Sequence, residues 1–480
     1  MTLQAAQPTS LATEPSPGTS SPPRLRRVLG LWDLIFYGIV LIQPVGAVGI
    51  FGWAHQGSFG HATTTILIAL VAMMLTAVSY GRMAGLYPAA GSAYTYVGRG
   101  LNAHAGFLAG WAMFLDYLVI PIVSVIYAAI SAQQLFADLA PAFNKHLVSG
   151  LGLNADLQKV GLVILFTVLT TVLNVRGIKW TAGANLIMTA IMFVVLAIFV
   201  VEAIAWIINH HGAAGLFSLQ PIYQPRTFNL RAIGAATSLA ALTYIGFDGI
   251  TTLAEDVREP KRTVPIAVVL VCLVIGICVT LQVYLAQLVW PDYNSFKDLD
   301  TAFFDVCSVV GGKFLFDSFT LVMAVACLGS TLTGQVGAAR ILFGMGRDKA
   351  LPAFLAKLDE RGNPVRNIWL IGGLVLVGAL SLDYKKAASL VNFGAFLAFL
   401  GVNLAVIREF FFRPPQGHTR AWLRDMALPG AAFLFCLWIW LSLEWPAKIV
   451  GGIWCAVGLI YTGIMTRGFR KPPVMINLEG

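Results

Sequence analysis

The segments Gly46-Ala47-Val48-Gly49 and Gly246-Phe247-Asp248-Gly249 interrupt two long apolar runs of this 480-residue chain, the first run and the sixth. They occupy matching places in the two halves of the sequence. Because glycine permits non-helical backbone, both segments predict that a helix opens about midway along a stretch long enough to span a bilayer. Backbone opened at that depth is tolerated only where it is buried in protein or lines a cavity, and paired breaks are typical of a transporter's substrate site.

The composition indicates a membrane protein. The chain is 58% hydrophobic and 11% charged, and its mean hydropathy is +0.77, whereas a soluble domain has roughly 25% charged residues. Apolar runs between charged or Pro/Gly-rich breaks predict an all-α membrane protein with twelve transmembrane helices, of which the first and the sixth are broken. The predicted helices lie near 31–55, 62–84, 104–136, 158–176, 183–208, 230–254, 264–289, 313–343, 367–382, 387–407, 427–444 and 447–466.

The distribution of charge predicts the domain organisation and the orientation. Residues 1–28 are rich in Pro, Ser and Thr and predict a disordered tail, followed by a transporter domain at 29–470 and a short tail at 471–480. With the N-terminus inside, the inner segments carry 23 of the 32 Lys and Arg residues and the outer segments carry 9. The positive-inside rule therefore places both termini in the cytoplasm. The net charge of +9 then reflects orientation and contact with anionic membrane lipids rather than nucleic-acid binding.

The six cysteines and seven histidines form no metal or disulfide pattern, since neither a C-x-x-C motif nor a paired spacing occurs. The chain also has no P-loop, no G-x-S-x-G motif and no H-E-x-x-H motif. We therefore expect no cofactor and no metal ion, and the sequence predicts that the protein is not an enzyme.

Two acidic residues are predicted to lie at membrane depth. Asp248 is inside the second glycine segment, and Asp116 is in the third predicted helix, next to Tyr117. An acid at the centre of a span costs about 2.5–3.5 kcal/mol on insertion scales, so such residues are candidates for function. A carboxylate flanked by aromatic rings suits an ammonium group through charge pairing and cation–π attraction. Helical spacing places Ser124 on the same face as Asp116.

The main candidates also have structural alternatives. Asp248 could cap the helix half that begins after the break, where its charge meets the positive helix end. Asp116 could hydrogen-bond to a neighbouring helix or lie near the water interface. Tyr244 and Phe247, which flank the second break, could wall a pocket or only pack against other helices. Ser330, in the eighth predicted helix, could line a polar path or form a hydrogen bond between helices.

The candidate residues fall into three groups. The predicted substrate-binding residues are Gln43, Gly46, Ala47, Gly49, Asp116, Tyr117, Tyr244, Phe247, Asp248 and Ser330. The predicted helix-break residues, which would also act in gating, are Gly46, Gly49, Gly246 and Gly249. The candidates for proton coupling are Asp116, Asp248 and Glu255.

Five stretches resemble sequence patterns of the amino acid–polyamine–organocation (APC) superfamily. They are Gly46–Phe51, Tyr87–Tyr96, Gly246–Glu255 with the following Pro260, Gly346–Pro352 and Leu390–Gly394. On these stretches the chain is identified as a member of the superfamily across essentially residues 30–470. It resembles the putrescine importers in particular, through Gly110-Trp111 and Leu115-Asp116-Tyr117.

The resemblance implies a LeuT-like fold with a 5+5 inverted repeat. Repeat one would cover 31–208 and repeat two 230–407, with helices 11 and 12 at 427–466 outside them. It also implies a substrate site between the broken helices 1 and 6, close to helices 3, 8 and 10, and alternating access by one helix bundle rocking against the other. Met192 falls where some members have a lysine thought to replace a sodium ion, so sodium, proton or exchange coupling stays open.

The function predicted from the sequence is the import of a small organic amine, such as putrescine, across the inner membrane by secondary active transport, with the proton as the expected co-substrate. The alternative is an amino-acid permease or exchanger of the same fold, whose substrate presents a carboxylate as well as an ammonium group. A third hypothesis is a membrane sensor or channel, against which the paired breaks argue. The oligomeric state stays open.

Overall fold

The computed structural model describes residues 29–89, 91–139, 155–177, 182–347, 350–360, 362–468 and 470. The predicted tails at 1–28 and 471–480 lie outside the described residues. Within the described ranges the protein folds into helices and loops without a β-strand, and one isolated parallel bridge joins Leu29 to Val257.

Fourteen α-helices occur in the described part of the chain. They are α1 (Leu31–Ile42), α2 (Phe51–Gly57), α3 (Ala62–Leu86), α4 (Ser92–Gly100), α5 (Ala103–Leu139), α6 (Ala155–Val175), α7 (Ala182–His211), α8 (Leu230–Ala240), α9 (Pro260–Val289), α10 (Ala302–Arg347), α11 (Val365–Ser381), α12 (Tyr384–Val406), α13 (Leu428–Leu441) and α14 (Trp445–Met465). The 3₁₀ helices Ala241–Tyr244 and Phe247–Asp256 follow α8. The π-helices Ile407–Phe412 and Leu423–Ala427 follow α12 and precede α13.

Ten helical stretches of the described residues are long and apolar enough to cross a membrane, and α1 and α11 are shorter apolar helices. The predicted all-α, multi-pass membrane protein is therefore confirmed. The number of twelve spans, the LeuT-like inverted repeats at 31–208 and 230–407, and the separate helices 11 and 12 at 427–466 stay predictions.

The helix bounds differ from the sequence prediction in two instructive places. The short helix α4 was not predicted, because its residues are mixed in polarity and form no apolar run. The eighth predicted helix, 313–343, is the second part of α10, which is interrupted at Gly312 with φ 60° and ψ −154°. This left-handed φ is readily accessible only to glycine.

The backbone leaves the helical path between α1 and α2. α1 ends at Ile42, and the next residue, Gln43, has φ 68° and ψ 116°. The following turns are closed by the Gly46 N–H, which donates to the Gln43 carbonyl at 2.9 Å, and by the Phe51 N–H, which donates to the Ala47 carbonyl at 2.9 Å. The interruption therefore begins at Gln43, ahead of the glycine segment.

A second interruption separates the two 3₁₀ helices after α8. Gly246 lies between them with φ 121°, a conformation that side chains other than glycine rarely adopt. Leu41 and Ile42 pack against it, each with an atom 3.2 Å from the position of an added Cβ. The two interruptions are therefore in contact.

α5 is the central helix of the protein. It has 37 residues, and 94% of its most apolar window is buried. It packs most extensively against α10 and α12, and it also contacts α4, α6, α11 and α14. α14 is only 17% buried over its own window, which leaves an apolar surface typical of a lipid-facing helix.

Candidate substrate site

A small cavity lies where the two interruptions face each other. Its volume is about 70 Å³, well below the roughly 300–1,000 Å³ of sites for drug-sized ligands. Its walls come from the end of α1, from α5, from the residues that follow α8, from α10 and from the first residue of α12. The lining residues are Leu41, Ile42, Gln43, Gly46, Ile120, Val123, Ser124, Tyr127, Leu242, Thr243, Ile245, Met323, Cys327, Ser330 and Tyr384.

The polar groups of the cavity are uncharged. The Ser124 hydroxyl on α5 donates to the Ser330 hydroxyl on α10 at 3.2 Å. The lining includes no Asp, Glu, Lys, Arg or His residue. The cavity can therefore hydrogen-bond to a small substrate and pack against its apolar part, but it does not itself neutralise a charge.

Gln43 holds the first interruption against α10. Its side-chain amide donates to the Ala326 carbonyl at 2.9 Å, and its backbone N–H donates to the Ile39 carbonyl at 2.8 Å. A left-handed φ in a residue other than glycine costs on the order of 1–3 kcal/mol and persists only where the surroundings enforce it. Such strained positions cluster at functional sites, which supports the prediction of Gln43 as a site residue.

Two tyrosines cover the cavity at the α2 side. The Tyr127 and Tyr384 rings have centroids 4.8 Å apart and an interplanar angle of 42°. Both rings press on Gly49, where an added Cβ would clash with the Tyr384 hydroxyl and would lie 2.9 Å from Tyr127. Gly49 is thus required by space rather than by its backbone conformation.

A loop residue, Asp300, ties this tyrosine cover to its surroundings through its backbone carbonyl and its carboxylate. The Tyr127 hydroxyl donates to the Asp300 carbonyl at 2.9 Å, and the Trp53 indole donates to the Asp300 carboxylate at 2.8 Å. The Lys385 ammonium lies 4.6 Å from the centroid of the Trp53 ring. Burial raises the pKa of Asp300 above its ordinary value, while the Trp53 hydrogen bond opposes the rise. The loop before α10 is thereby tied to α2 and α12.

The two predicted acids form a pair outside the cavity. Asp116 and Asp248 are each 1% exposed and interact electrostatically with each other. The Oδ1 atom of each has no hydrogen-bond partner within the described part of the chain. Asp116 lies four residues before Ile120, a cavity residue, which is about 6 Å along the helix axis. The acid pair therefore lies about one helical turn beyond the cavity wall.

The surroundings of Asp248 leave both of its predicted roles open. Backbone N–H groups of Gly246, Asp248 and Gly249 face its carboxyl group, as a capping role requires. The Tyr117 hydroxyl also lies beside this carboxyl group, but outside hydrogen-bonding geometry. The Tyr117 ring packs on Gly337 of α10, where an added Cβ would lie 2.7 Å from the ring. Tyr117 thus bridges α10 and the second interruption.

Four predicted residues lie elsewhere. The Tyr244 hydroxyl donates to the Ile66 carbonyl at 3.2 Å, and the Phe247 ring packs at 5.5 Å from the Tyr80 ring. Ala47 is fully buried, and none of these three predicted residues lines the cavity. Glu255 is half-buried near the end of its 3₁₀ helix, about 14 Å along the axis from Asp248 at a rise of about 2 Å per residue.

Of the predicted binding residues, Gln43, Gly46 and Ser330 line the cavity, whereas Asp116, Tyr117 and Asp248 gather beyond it. The cover residues Tyr127 and Tyr384 were not predicted from the sequence. A signal existed for Tyr127, since it lies one turn after Ser124 on nearly the same face of α5. No local signal marks Tyr384, because its position depends on how α12 packs against α5.

The comparisons with known proteins agree on the class of protein. The family model described as amino acid permease matches residues 29–477. The chain is 31% identical to the low-affinity putrescine importer PlaP of Escherichia coli (strain K12) over 454 residues, which cover 93% of this chain and 95% of that protein. It is 26% identical to the branched-chain amino acid permease BcaP of Bacillus subtilis (strain 168), over 94% of this chain and 96% of that protein.

A third relative transports a different kind of solute. The methylthioribose transporter of Bacillus subtilis (strain 168) is 25% identical over 92% of this chain and 94% of that protein. All three relatives carry small molecules, and their family consists of permeases rather than enzymes. The resemblance to the APC superfamily is confirmed, and the chain belongs to the amino acid permease family of membrane transporters.

Proposed function

We propose that this permease is a secondary active transporter that imports a small organic amine, such as putrescine, across the inner membrane together with a proton. The observation that carries the proposal is the pair Asp116 and Asp248. Both are buried, and their Oδ1 atoms have no hydrogen-bond partner in the described chain. They adjoin a small cavity between two helix interruptions, which is the expected place for a transporter's substrate.

The charge of the acid pair supports a cationic substrate. A buried carboxylate is costly unless a cation or several donors accompany it. Neither Asp116 nor Asp248 forms an ion pair with a basic side chain in the described residues. One ammonium group of an amine pairs with one carboxylate and so supplies charge that the protein itself leaves out, while the second carboxylate remains available to a proton.

The cavity suits the rest of such a molecule. Apolar surface for a polymethylene chain comes from Ile120, Val123 and Met323. The hydroxyl groups of Ser124 and Ser330 can accept hydrogen bonds from an ammonium group that passes through the cavity toward the acid pair. Asp116, Ile120 and Ser124 follow one another at intervals of four residues, or about 6 Å along α5. We therefore propose a path that runs from the cavity along α5 to the acid pair.

The same acid pair is the proposed site of proton coupling. Like charges at close range make it unfavourable for both carboxylates to be ionised without a cation, so binding of a proton and binding of an ammonium group are linked. Substrate and proton can drive alternating access only through different affinities for the two states. Glu255, further along the same 3₁₀ helix, is a second proton candidate. The excess of Lys and Arg in the predicted inner segments supports a cytoplasmic position of both termini.

An amino-acid permease is the second candidate function. The backbone N–H groups of Gly246 and Asp248 face the same carboxyl group at the second interruption, and amides at a helix start also suit the carboxylate of an amino acid. BcaP, a branched-chain amino acid permease, is a relative of similar coverage. In this case Asp248 would cap its helix and would not bind the substrate. A sensor or channel is disfavoured, because the relatives are permeases and transporters.

The test is uptake of radiolabelled putrescine into proteoliposomes, with and without an inward proton gradient, in competition with diamines and neutral amino acids. The proposal predicts uptake that the gradient stimulates and that diamines, but not neutral amino acids, inhibit. Protein-free liposomes are the control for leakage. Inhibition by neutral amino acids alone would establish the second candidate, and uptake that is unaffected by the gradient would exclude proton coupling.

A further inference from the structure

An open pocket of about 400 Å³ lies at the C-terminal end of α3. Its walls are Arg82 and Leu86 of α3, Phe410 of the π-helix after α12, and Gln416 and His418 of the connection between α12 and α13. This pocket is separate from the substrate cavity and shares no lining residue with it. Nothing in the proposed transport mechanism uses it.

Basic side chains outnumber the acid at this pocket. Arg82, Arg424 and His418 all surround the single carboxylate of Asp425, at 2.6, 3.1 and 3.0 Å. The Arg82 guanidinium is also held 4.0 Å from the centroid of the Phe410 ring. One carboxylate neutralises one of the two arginines, so the cluster of Arg82, Asp425 and Arg424 beside the pocket keeps a net positive charge. The stacking and pairing of Arg82 fix this charge in place, which lowers the entropic cost of binding an anion.

Apolar residues flank this basic pocket. Phe412, Trp422 and Leu423, on the two π-helices and the connection that carries the pocket, are 62%, 66% and 64% exposed. A tryptophan among exposed apolar side chains is typical of the membrane–water interface. The connection also carries the exposed Arg413 and Arg420. The pocket therefore combines fixed cations with an apolar rim, and this combination suits a position at the headgroup region of a bilayer.

We infer that this pocket binds the phosphate group of an anionic phospholipid. Arginines bind phosphate strongly through charge-assisted hydrogen bonds, and basic pockets between transmembrane helices bind anionic headgroups. Free inorganic phosphate presents the same chemistry, but the exposed apolar rim favours the lipid. The inference is independent of the proposed substrate, because the pocket shares no lining residue with the substrate cavity. It lies at the C-terminal end of α3, whereas the Gln224 N–H donates to His61 at 3.1 Å at the start of that helix.

The test uses Gln416, which is exposed and lines the pocket without taking part in the Arg82–Asp425 pair. Gln416→Glu adds a negative charge at the pocket, and Gln416→Lys adds a positive charge. Gln220→Glu is the matched control, because it places the same substitution on an exposed position of the α7–α8 connection. Each purified protein in detergent is titrated with a short-chain phosphatidylglycerol while its melting temperature is followed.

Phosphatidylglycerol is expected to raise the melting temperature of the unsubstituted protein, whereas phosphatidylcholine of the same chain length is not. The half-saturating concentration of phosphatidylglycerol should rise about fivefold in Gln416→Glu, fall in Gln416→Lys and stay unchanged in Gln220→Glu. The fivefold change corresponds to about 1 kcal/mol for one charge near a headgroup. Equal responses to the two lipids, or equal responses of Gln416→Glu and Gln220→Glu, would overturn the inference.

A parallel titration with sodium phosphate, against sodium chloride at equal ionic strength, identifies the source of the anion. If phosphate competes with the lipid response, the pocket recognises the phosphate group itself and also takes it free from solution. If phosphate has no effect while the lipid does, the pocket takes the phosphate only as part of a phospholipid. Stabilisation by phosphate that Gln416→Glu leaves unchanged would place the anion elsewhere and overturn the inference.

Discussion

Asp425 and the pair Asp116 and Asp248 are equally buried, but their carboxylates have opposite surroundings. Asp425 accepts hydrogen bonds from Arg82 at 2.6 Å, from Arg424 at 3.1 Å and from the backbone N–H of Ala421 at 2.8 Å. In Asp116 and Asp248, by contrast, one oxygen of each carboxylate has no partner in the described chain.

The comparison supports our proposal that Asp425 is a structural acid and that Asp116 and Asp248 act in transport. Burial alone makes each of these carboxylates expensive, and the protein compensates Asp425 with basic groups of its own. It supplies no such cation to Asp116 or Asp248, and we propose that a bound ammonium group and a proton provide the compensation. We expect Asp425 to contribute to stability and the other two acids to contribute to transport.

The largest effect is expected from Asp425→Asn, which tests the acid whose charge is neutralised by basic side chains of the protein. The substitution removes the carboxylate and leaves the Arg82 charge, whose side chain is 16% exposed, without its partner. Breaking a buried ion pair costs about 3–5 kcal/mol. Thermal unfolding in detergent should show this loss, while uptake per folded protein stays near normal. An unchanged melting temperature would mean that Asp425 is not a structural acid.

The next largest effect is expected from Asp116→Asn, which tests an acid that has no basic partner in the described residues. Loss of a charged partner for an ammonium group is expected to cost about 1.5–3 kcal/mol, which corresponds to a roughly 10- to 100-fold fall in putrescine uptake. Folding and insertion should be unchanged, because no protein cation loses its partner. The measurement is uptake at matched levels of inserted protein. Normal uptake would remove Asp116 from the substrate site.

A smaller effect is expected from Tyr117→Phe, which removes the hydroxyl beside the Asp248 carboxyl group. We expect this hydroxyl to hydrogen-bond to the Asp248 carboxyl group once substrate is bound, an interaction worth about 0.5–1.5 kcal/mol, so uptake should fall about two- to tenfold. Tyr284→Phe is the control, because it loses hydrogen bonds to the Leu216 and Ser218 carbonyls away from the site. Equal uptake by the two variants would show that Tyr117 only packs against α10.

The smallest effect is expected at an exposed acid, Asp383, which extends the comparison to the surface. Its carboxylate caps α12 by accepting from the Lys386 N–H at 2.8 Å. Burial acts to raise the pKa of Asp383, but the Lys386 ammonium and N–H dominate and lower it below 3.8. Because the folded-state pKa is lowered, the stability from Asp383 is present above the unfolded value and lost as pH falls through the lowered one.

Asp383→Ala should therefore lower stability by about 0.5 kcal/mol near pH 7, the low end for the loss of a helix N-cap. Its melting temperature should converge with that of the unsubstituted protein as pH drops below about 3.8. Asp383→Ser keeps a capping oxygen and is the matched control. A difference between Asp383→Ala and the unsubstituted protein that persists at low pH would show that the cap does not depend on the charge.

Much of the fold could be predicted from the sequence, because long apolar runs determine where helices can cross a membrane. The acids Asp116 and Asp248 were also visible, since ionisable residues are rare within apolar runs. The mixed helix α4 and the exact start of the first interruption were not. Gln43 adopts its left-handed backbone through a contact with Ala326 of α10, which is 283 residues away, and no local pattern encodes such a contact.

The ion pair between Arg82 and Asp425 was even less predictable from the sequence. In the sequence Arg82 counts only as one of the inner basic residues, and Asp425 follows a connection that has no apolar pattern of its own. The two residues are 343 positions apart, and only the packing of α3 beside the start of α13 brings them together. Likewise, Gly49 reads as a helix breaker in sequence, whereas the tyrosine cover shows that its missing side chain leaves room for Tyr127 and Tyr384.

The most direct test of the account is the equilibrium binding of putrescine, measured by titration calorimetry on the unsubstituted protein, the double variant Asp116→Asn/Asp248→Asn and the variant Asp425→Asn. We predict that the double variant loses measurable binding while it keeps its melting temperature, and that Asp425→Asn binds normally below its reduced melting temperature. Normal binding by the double variant, or loss of binding in folded Asp425→Asn alone, would contradict the claim that the uncompensated acids form the substrate site.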